Sequence, residues 1–182
     1  MFLIDHFAGH IQRSLDGGRT WQTLRGPGQP AAFQFVSHQR GWELGGYEGR
    51  ELRRSDDGGR TWTPVTVVGS DVNVLAFSWL DAQHGWLVGN NCANLTSVSG
   101  PCTGAVLRTS DGGRHWQLIH LPRVFGLGEE SYSYVSSGFR MVTPRVGYVE
   151  DGGGLYRTDD GGRTWRFVSG WHDRGKFFGP SD

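Results

Sequence analysis

Apolar and polar residues alternate in short runs along this 182-residue chain. The runs are rich in β-branched and aromatic residues, and each is bounded by Gly, Pro, Asn or Asp. This pattern is typical of β-strands and hairpins. No window sustains apolar residues at positions i, i+3, i+4 and i+7, so we expect almost no helix.

One octapeptide occurs four times and sets the organisation of the chain. Each copy has a Ser or Thr, an Asp two residues later, two glycines, an Arg and a final Trp. Successive Trp residues lie 41, 54 and 49 residues apart, a period that indicates a repeat architecture. The copies run from Ser14 to Trp21, Ser55 to Trp62, Thr109 to Trp116 and Thr158 to Trp165.

Each repeat predicts four short strands. The first ends near an F-x-F or F-x-M pair, the second opens at Gly-Trp or Gly-Tyr, the third ends at Arg-Ser or Arg-Thr, and the fourth starts at the octapeptide Trp. Repeats of four antiparallel strands predict an all-β fold, the β-propeller. We expect one domain, 1–182, with units at about 1–27, 28–70, 71–123 and 124–170 and a tail at 171–182.

The two ends of the chain leave alternatives open. Aligning the octapeptides places Met1 opposite Trp42, so the first unit starts at its second strand. The tail around Phe177 and Phe178 resembles a first strand. It either pairs with the first unit and closes a four-bladed ring, or it belongs to a larger propeller of which this chain is a fragment. We favour the fragment, and an open array would expose strand edges through which copies could associate.

The acidic residue of the octapeptide has a structural explanation. It precedes two glycines, where a tight turn needs φ > 0, and its carboxylate can accept bonds from the N–H groups of the turn. The Ser or Thr can add a hydroxyl bond, and the Trp ring can cover the turn. Because the four positions are equivalent, we expect scaffolding and not catalysis or calcium binding at Asp16, Trp21, Asp57, Trp62, Asp111, Trp116, Asp160 and Trp165.

These octapeptides resemble the Asp-box, or BNR repeat, of sialidase-like propellers. The longer unit, F-x-F … G-W-x-x-G … L-x-R-S/T-x-D-G-G-x-T-W, is most similar to the photosystem II assembly and stability factor family and its bacterial relatives. That resemblance implies a non-catalytic protein that presents loops to a protein or glycan partner. The Asp-box also occurs in enzymes, so the alternative is a glycoside hydrolase of sialidase-like or xyloglucanase-like type.

Composition limits the classes of partner and ligand that we expect the chain to bind. The 18 basic and 18 acidic residues balance, so nothing indicates a generic nucleic-acid or anionic-membrane binder. The seven histidines do not cluster with the cysteines, and we expect neither a metal nor a cofactor. The sequence shows no transmembrane segment.

Cys92 and Cys102 flank a polar insertion between the second and third strands of the third unit. This arrangement predicts a disulfide and an extracytoplasmic, oxidising location, and two free thiols are the alternative. The residues after Met1 lack the basic start and apolar run of a signal peptide.

The binding face is predicted at the end of the sheets opposite the Asp-boxes, where loops join strand two to strand three and one blade to the next. Solvated loop residues are the alternative for each position. A glycosidase would need two carboxylates about 5–9.5 Å apart, and Glu129 or Glu130 with Glu150 or Asp151 is the pairing available. The predicted binding residues are Tyr47, Glu48, Asn91, Arg123, Glu129, Glu130, Tyr132, Tyr134, Glu150 and Asp151.

Arginines recur before and within every octapeptide. In the resembling family an arginine-rich patch docks the partner, so these side chains are a conceivable contact surface. Their equivalence in all repeats instead predicts pairing with neighbouring Asp-box acids. They are Arg13, Arg54, Arg108 and Arg157 before the boxes, and Arg19, Arg60, Arg114 and Arg163 within them.

Overall fold

The computed structural model is all-β, as the strand pattern predicts. It describes residues 1–5, 10–24, 32–45, 51–67, 72–91, 103–120, 138–151, 154–172 and 176–178. These residues form sixteen strands in four antiparallel sheets, and no helix occurs among them. The chain divides into two compact units, Met1–Val67 and Val68–Asp182, each holding two sheets.

The first unit holds a three-stranded and a four-stranded sheet, with neighbours in sequence order. The first sheet contains β1 (Phe2–Asp5), β2 (His10–Arg13) and β3 (Gln22–Leu24). The second sheet contains β4 (Ala32–Phe35), β5 (Gly41–Gly45), β6 (Glu51–Ser55) and β7 (Thr63–Pro64).

The second unit holds a four-stranded and a five-stranded sheet in the same meander order. The third sheet contains β8 (Val72–Trp79), β9 (Gly85–Asn91), β10 (Thr103–Thr109) and β11 (Gln117–His120). The fourth sheet contains β12 (Arg140–Met141), β13 (Gly147–Asp151), β14 (Gly154–Thr158), β15 (Arg166–His172) and β16 (Lys176–Phe178).

Two details at the ends of the chain differ from the sequence alignment. Arg54 pairs with Trp42 in the second sheet, whereas Arg13 pairs with Phe2 in the first, so Phe2 and not Met1 occupies the Trp42 position. The alignment assumed equal loop lengths, and the connection between β1 and β2 is one residue shorter than its counterpart. The tail strand β16 pairs antiparallel with β15 and extends the fourth sheet.

The glycine that opens each second strand lets an aromatic or Met side chain of the first strand lie across it. A Cβ on Gly41 would meet the Phe35 ring at 2.5 Å, and a Cβ on Gly85 would meet the Trp79 ring. Real Cβ atoms do not approach other atoms so closely, so these positions require glycine. The repeated Gly-Trp or Gly-Tyr pair is therefore a packing signal between strands one and two.

Facing sheets build the core inside each unit. In the first unit the Phe2 ring stacks on Phe35 with centroids 3.7 Å apart, which places the Phe35 face of the second sheet against the first sheet. In the second unit Ser78 Oγ accepts a hydrogen bond from the backbone N–H of Met141 at 3.0 Å. The buried cluster between the third and fourth sheets is Trp86, Val88, Val106, Phe139, Met141 and Val149.

Candidate functional site

The Asp-box turn is a closed hydrogen-bond network. Asp57 Oδ1 accepts bonds from Ser55 Oγ at 2.8 Å and from the backbone N–H groups of Arg60 and Thr61 at 2.9 and 3.0 Å. Asp57 Oδ2 accepts a bond from Thr61 Oγ1 at 2.6 Å. The Ser55 hydroxyl oxygen in turn accepts the N–H of Gly59 at 2.8 Å. The carboxylate is thus fully occupied by its own turn.

The other three boxes repeat this geometry, as the sequence predicts. The Ser or Thr hydroxyl donates to the carboxylate at 2.8, 2.8 and 2.9 Å in boxes one, three and four. His115 replaces the usual Thr in the third box, and its Nδ1 lies 2.5 Å from Asp111 Oδ2. All eight glycines have φ between +75° and +93°: Gly17, Gly18, Gly58, Gly59, Gly112, Gly113, Gly161 and Gly162.

These bonds keep the box carboxylates ionised. Burial alone would raise the pKa of Asp57, but the bonds from Thr61, Ser55 and Arg60 outweigh it and lower the pKa to about 2. In the first box the Thr20 hydroxyl is the largest of the hydrogen bonds that lower the pKa of Asp16. A carboxylate that is ionised and saturated with donors is a poor general base. Each box carboxylate is thus bound by its own turn.

Two box tryptophans hydrogen-bond to their own turns, and a buried tryptophan joins the third and fourth sheets. Trp21 Nε1 donates to the carbonyl oxygen of Gly18 at 3.0 Å, and Trp165 Nε1 donates to that of Gly162 at 3.1 Å. In the second unit Trp86 Nε1, on the third sheet, donates to the carbonyl oxygen of Gly161 in the fourth box at 3.1 Å. The fourth box thus contacts both its own tryptophan and the third sheet.

The recurring arginines serve the boxes in two ways. Arg54 pairs with Asp56 at 3.2 Å and Arg157 pairs with Asp159 at 2.5 Å, which confirms the predicted pairing with neighbouring acids for these two. Arg13 Nη1 donates to the carbonyl oxygen of Gly58 in the box of the next sheet at 3.3 Å. Two arginines within boxes, Arg60 and Arg163, donate to the backbone carbonyl of their own Asp at 3.0 and 3.1 Å.

The predicted binding residues are expected at the end of the sheets opposite the boxes, and most of them lie outside the described residues. Tyr47 and Glu48 fall between β5 and β6 in sequence and are among these. The strands β9 and β13 end at Asn91 and Asp151, and Glu150 is exposed. The remaining predicted positions, Arg123, Glu129, Glu130, Tyr132 and Tyr134, also lie outside the described residues, as do Cys92 and Cys102. Their roles therefore stay predictions.

One polar cluster at this end was not found from the sequence. Arg53, on β6, lies between two carboxylates: its Nη1 is 3.4 Å from Glu43 Oε1, and its Nη2 is 2.5 Å from Glu51 Oε2. The Glu43 side chain is 1% exposed, that of Arg53 is 15% exposed and that of Glu51 is 58% exposed. We call these three residues the second-sheet triad. Burial raises the pKa of Glu43, and the hydrogen bond and charge of Arg53 oppose that rise.

The triad is a departure from the repeat. The register that pairs Glu43 with Arg53 pairs Leu87 with Leu107 in the third sheet. In the fourth sheet the same register pairs Val149 with Tyr156. Aligning strands two and three by their pairing would have shown a charged pair at an apolar position. An alignment of the octapeptides alone does not reveal this pair, because both of its residues lie outside the octapeptides.

Within the described ranges no group of three or more His, Cys, Asp or Glu residues could hold a metal ion. The same ranges contain no helix that is long and apolar enough to cross a membrane.

Comparisons with known proteins place this geometry among Asp-box propellers. A family model described as BNR/Asp-box repeat matches residues 53–64. No curated protein matches the sequence of the chain.

Solved structures give more extended matches. YCF48 bound to D1 peptide is 24% identical with a TM-score of 0.57, over 81% of this chain and 42% of that chain. YCF48 from Cyanidioschyzon merolae is 20% identical with a TM-score of 0.51, over 74% of this chain and 38% of that chain. The GH74 xyloglucanase from Xanthomonas campestris is 21% identical with a TM-score of 0.52, over 86% of this chain and 22% of that chain.

The chain spans about two-fifths of the YCF48 structures and about a fifth of the xyloglucanase. At these identities the likeness shows the fold. The chain carries Asp-box repeats on a fold of the β-propeller class.

Proposed function

We propose that this Asp-box repeat protein of the β-propeller fold class is a non-catalytic binding module for a segment of another protein. The contact surface is the end of the sheets opposite the boxes, where strands two and three are joined. Because proteins of one fold carry unrelated functions, the support comes from the site and not from the fold.

The second-sheet triad is the observation that carries this proposal. Glu51 is 58% exposed and Arg53 is held beside it, so this end of the second sheet offers an acceptor and a donor fixed in one arrangement. Fixed polar groups next to loops are typical of protein-recognition surfaces. At the opposite end, the box carboxylates are saturated by their own turns.

The similarity in fold to a solved structure suggests a first peptide for the binding test. One YCF48 structure of the same fold holds a D1 peptide. GH74 enzymes share the fold, so the experiment also tests the alternative of a glycoside hydrolase. Its two carboxylates would be Glu129 or Glu130 together with Glu150 or Asp151.

The experiment compares two acidic residues of the second sheet. Glu51→Ala removes a carboxylate at the proposed contact end, and Asp56→Ala removes one that is 49% exposed at the box end. Both carboxylates pair with an arginine, so the variants differ chiefly in their location. Binding of immobilised D1 peptide and of a peptide array is measured by surface plasmon resonance, and turnover of xyloglucan is assayed in parallel.

We expect peptide binding that Glu51→Ala weakens about tenfold, a change of about 1.4 kcal/mol, and that Asp56→Ala leaves unchanged. Equal weakening by both variants, or no peptide binding at all, would refute the proposal. Turnover of xyloglucan that is lost when Glu129, Glu130, Glu150 and Asp151 are replaced by alanine would establish the hydrolase instead.

We also propose that Cys92 and Cys102 form a disulfide and that the protein works in an extracytoplasmic compartment. The support is their position at the two ends of one polar insertion. Thiol titration of the denatured chain, isolated from its host under alkylating conditions, checks this. No free thiol is expected, and two free thiols would overturn both statements.

A further inference from the structure

The second-sheet triad lies on the inner face of its sheet. Glu43 is directly opposite Phe33 on β4 and Arg53 on β6. Because side chains alternate along a strand, these residues share the face of Phe35, whose ring stacks on Phe2 of the first sheet. The carboxyl group of Glu43 is therefore enclosed between two sheets, whereas Glu51 reaches solvent.

Glu43 is incompletely satisfied in this position. Its Oε1 is 3.4 Å from Arg53 Nη1, a long contact for a charged pair. Its Oε2 is buried and has no hydrogen-bond partner among the residues that the structure describes. An ionised carboxylate without full hydrogen bonding is costly inside a protein, so protonation is the natural response.

Arg53 already favours the other carboxylate. Its Nη2 is 2.5 Å from Glu51 Oε2, which is nearly an ångström shorter than its distance to Glu43. The Glu51 side chain is exposed to solvent, whereas that of Glu43 is buried. The two carboxylates thus compete unequally for one guanidinium.

We propose that the triad is a proton-operated switch at the end of the second sheet. In the first state Glu43 is ionised and Arg53 bridges both carboxylates, and the three side chains carry a net charge of −1. In the second state a proton from solvent binds Glu43 Oε2, Arg53 pairs with Glu51 alone, and the net charge is zero. The switch does not depend on the proposed function.

Among the described residues, few charged groups face Glu43. Arg53 is the charged group that acts on it, and Phe33 on the neighbouring strand β4 is apolar. On the first sheet the guanidinium of Arg13 is directed to the carbonyl oxygen of Gly58 and to Gln22 Oε1. Glu51 is the second carboxylate of the switch itself.

The test is a ¹³C titration of glutamate carboxyl groups in the whole chain between pH 3 and pH 9, with backbone amide shifts recorded in parallel. Glu43 is expected to titrate at a higher pH than an ordinary glutamate carboxyl group. The amides of Leu52 and Arg53 are expected to shift at the Glu43 midpoint, because the guanidinium moves when Glu43 takes up its proton. Leu87 and Leu107, the equivalent pair in the third sheet, serve as the internal reference.

Two isosteric variants make the outcome decisive. Glu43→Gln should abolish the shift of Leu52 and Arg53 at the Glu43 midpoint, and Glu51→Gln should leave a titration of Glu43 in place. The proposal fails if Glu43 titrates at or below the pH of an ordinary glutamate carboxyl group. It also fails if the amide shifts survive in Glu43→Gln.

Discussion

Arg13 Nη1 donates to the carbonyl oxygen of Gly58 at 3.3 Å and so links the first sheet to the Asp-box turn of the second. The Arg13 side chain is buried and also donates to Gln22 Oε1 at 3.2 Å. A glycine of one repeat is thus constrained by an arginine of the previous repeat. This relationship gives the box a tertiary role beyond its local turn.

The link predicts different costs for two glycines with the same backbone conformation. Gly17 and Gly58 have φ of +75° and +76°, and Gly17 has open space where a Cβ would lie. A Cβ on Gly58 would meet the Arg13 guanidinium and lie 2.7 Å from the carbonyl oxygen of His38. Alanine costs about 1–2 kcal/mol at either position through the left-handed backbone.

At Gly58 overpacking adds about 1–3 kcal/mol to that cost. Urea unfolding of Gly58→Ala and Gly17→Ala measures both free energies. Equal losses in the two variants would show that the Arg13 link does not restrict the turn.

Removing a box carboxylate is expected to weaken the fold and its response to acid. Asp57→Asn should cost about 1–3 kcal/mol at pH 7, because the donors of the turn lose their charged acceptor. The pKa of Asp57 is lowered from 3.8 to about 2 in the folded state. Its stabilisation is therefore complete above pH 4 and is lost as the pH falls toward 2.

Thermal unfolding from pH 7 to pH 2 checks this prediction. The acid limb of Asp57→Asn should be shallower than that of the wild type. Asp56→Asn is the matched control, since its surface ion pairs contribute less than about 1 kcal/mol. An unchanged acid limb in Asp57→Asn would contradict the network.

Removing the arginine of the second-sheet triad is expected to lower the stability of the fold strongly. Arg53→Leu leaves Glu43 buried without its cation, which costs about 3–5 kcal/mol. Burial then raises the pKa of Glu43 above its unfolded value without opposition from Arg53. The folded state of the variant then binds a proton more tightly than the unfolded state does. Its free energy of unfolding therefore falls as the pH rises from the pKa of Glu43 in the unfolded state to its pKa in the folded state. The loss is larger at pH 8 than at pH 4.

The double variant Glu43→Leu, Arg53→Leu copies the Leu87–Leu107 pair of the third sheet. It is expected to match the stability of the wild type or to exceed it by up to about 4 kcal/mol. Guanidinium unfolding at both pH values separates the variants. A pH-independent loss in Arg53→Leu would contradict the role assigned to Glu43.

A buried tryptophan should contribute more to stability than an exposed one that also donates its indole N–H to a backbone carbonyl. Trp86 is fully buried, and Trp86→Phe leaves the carbonyl oxygen of Gly161 without its donor, at a cost of about 1–3 kcal/mol. Trp21 is 37% exposed, so water can replace its bond to Gly18 and Trp21→Phe should cost less than about 1 kcal/mol. Chemical denaturation compares the two, and a larger loss in Trp21→Phe would refute the ranking.

The sequence by itself determined the repeat, the strands and the chemistry of the box. Asp57 reaches all its partners within four residues, so the octapeptide specifies the turn locally. The sequence did not predict the length of the connection between β1 and β2. This connection is one residue shorter than the one between β5 and β6, so Phe2 occupies the position expected for Met1. Register depends on loop length as well as on the motif.

Only the tertiary structure decided which partners the repeated arginines reach. Arg13 crosses to the box of the next sheet, and Arg54 pairs with Asp56 of its own box. The sequence does not distinguish Glu43 from other polar residues in strands. The structure shows that two sheets enclose it beside Arg53. The reason is physical: local hydrogen bonds depend on neighbours in sequence, whereas burial and the desolvation of a charge depend on what packs over it.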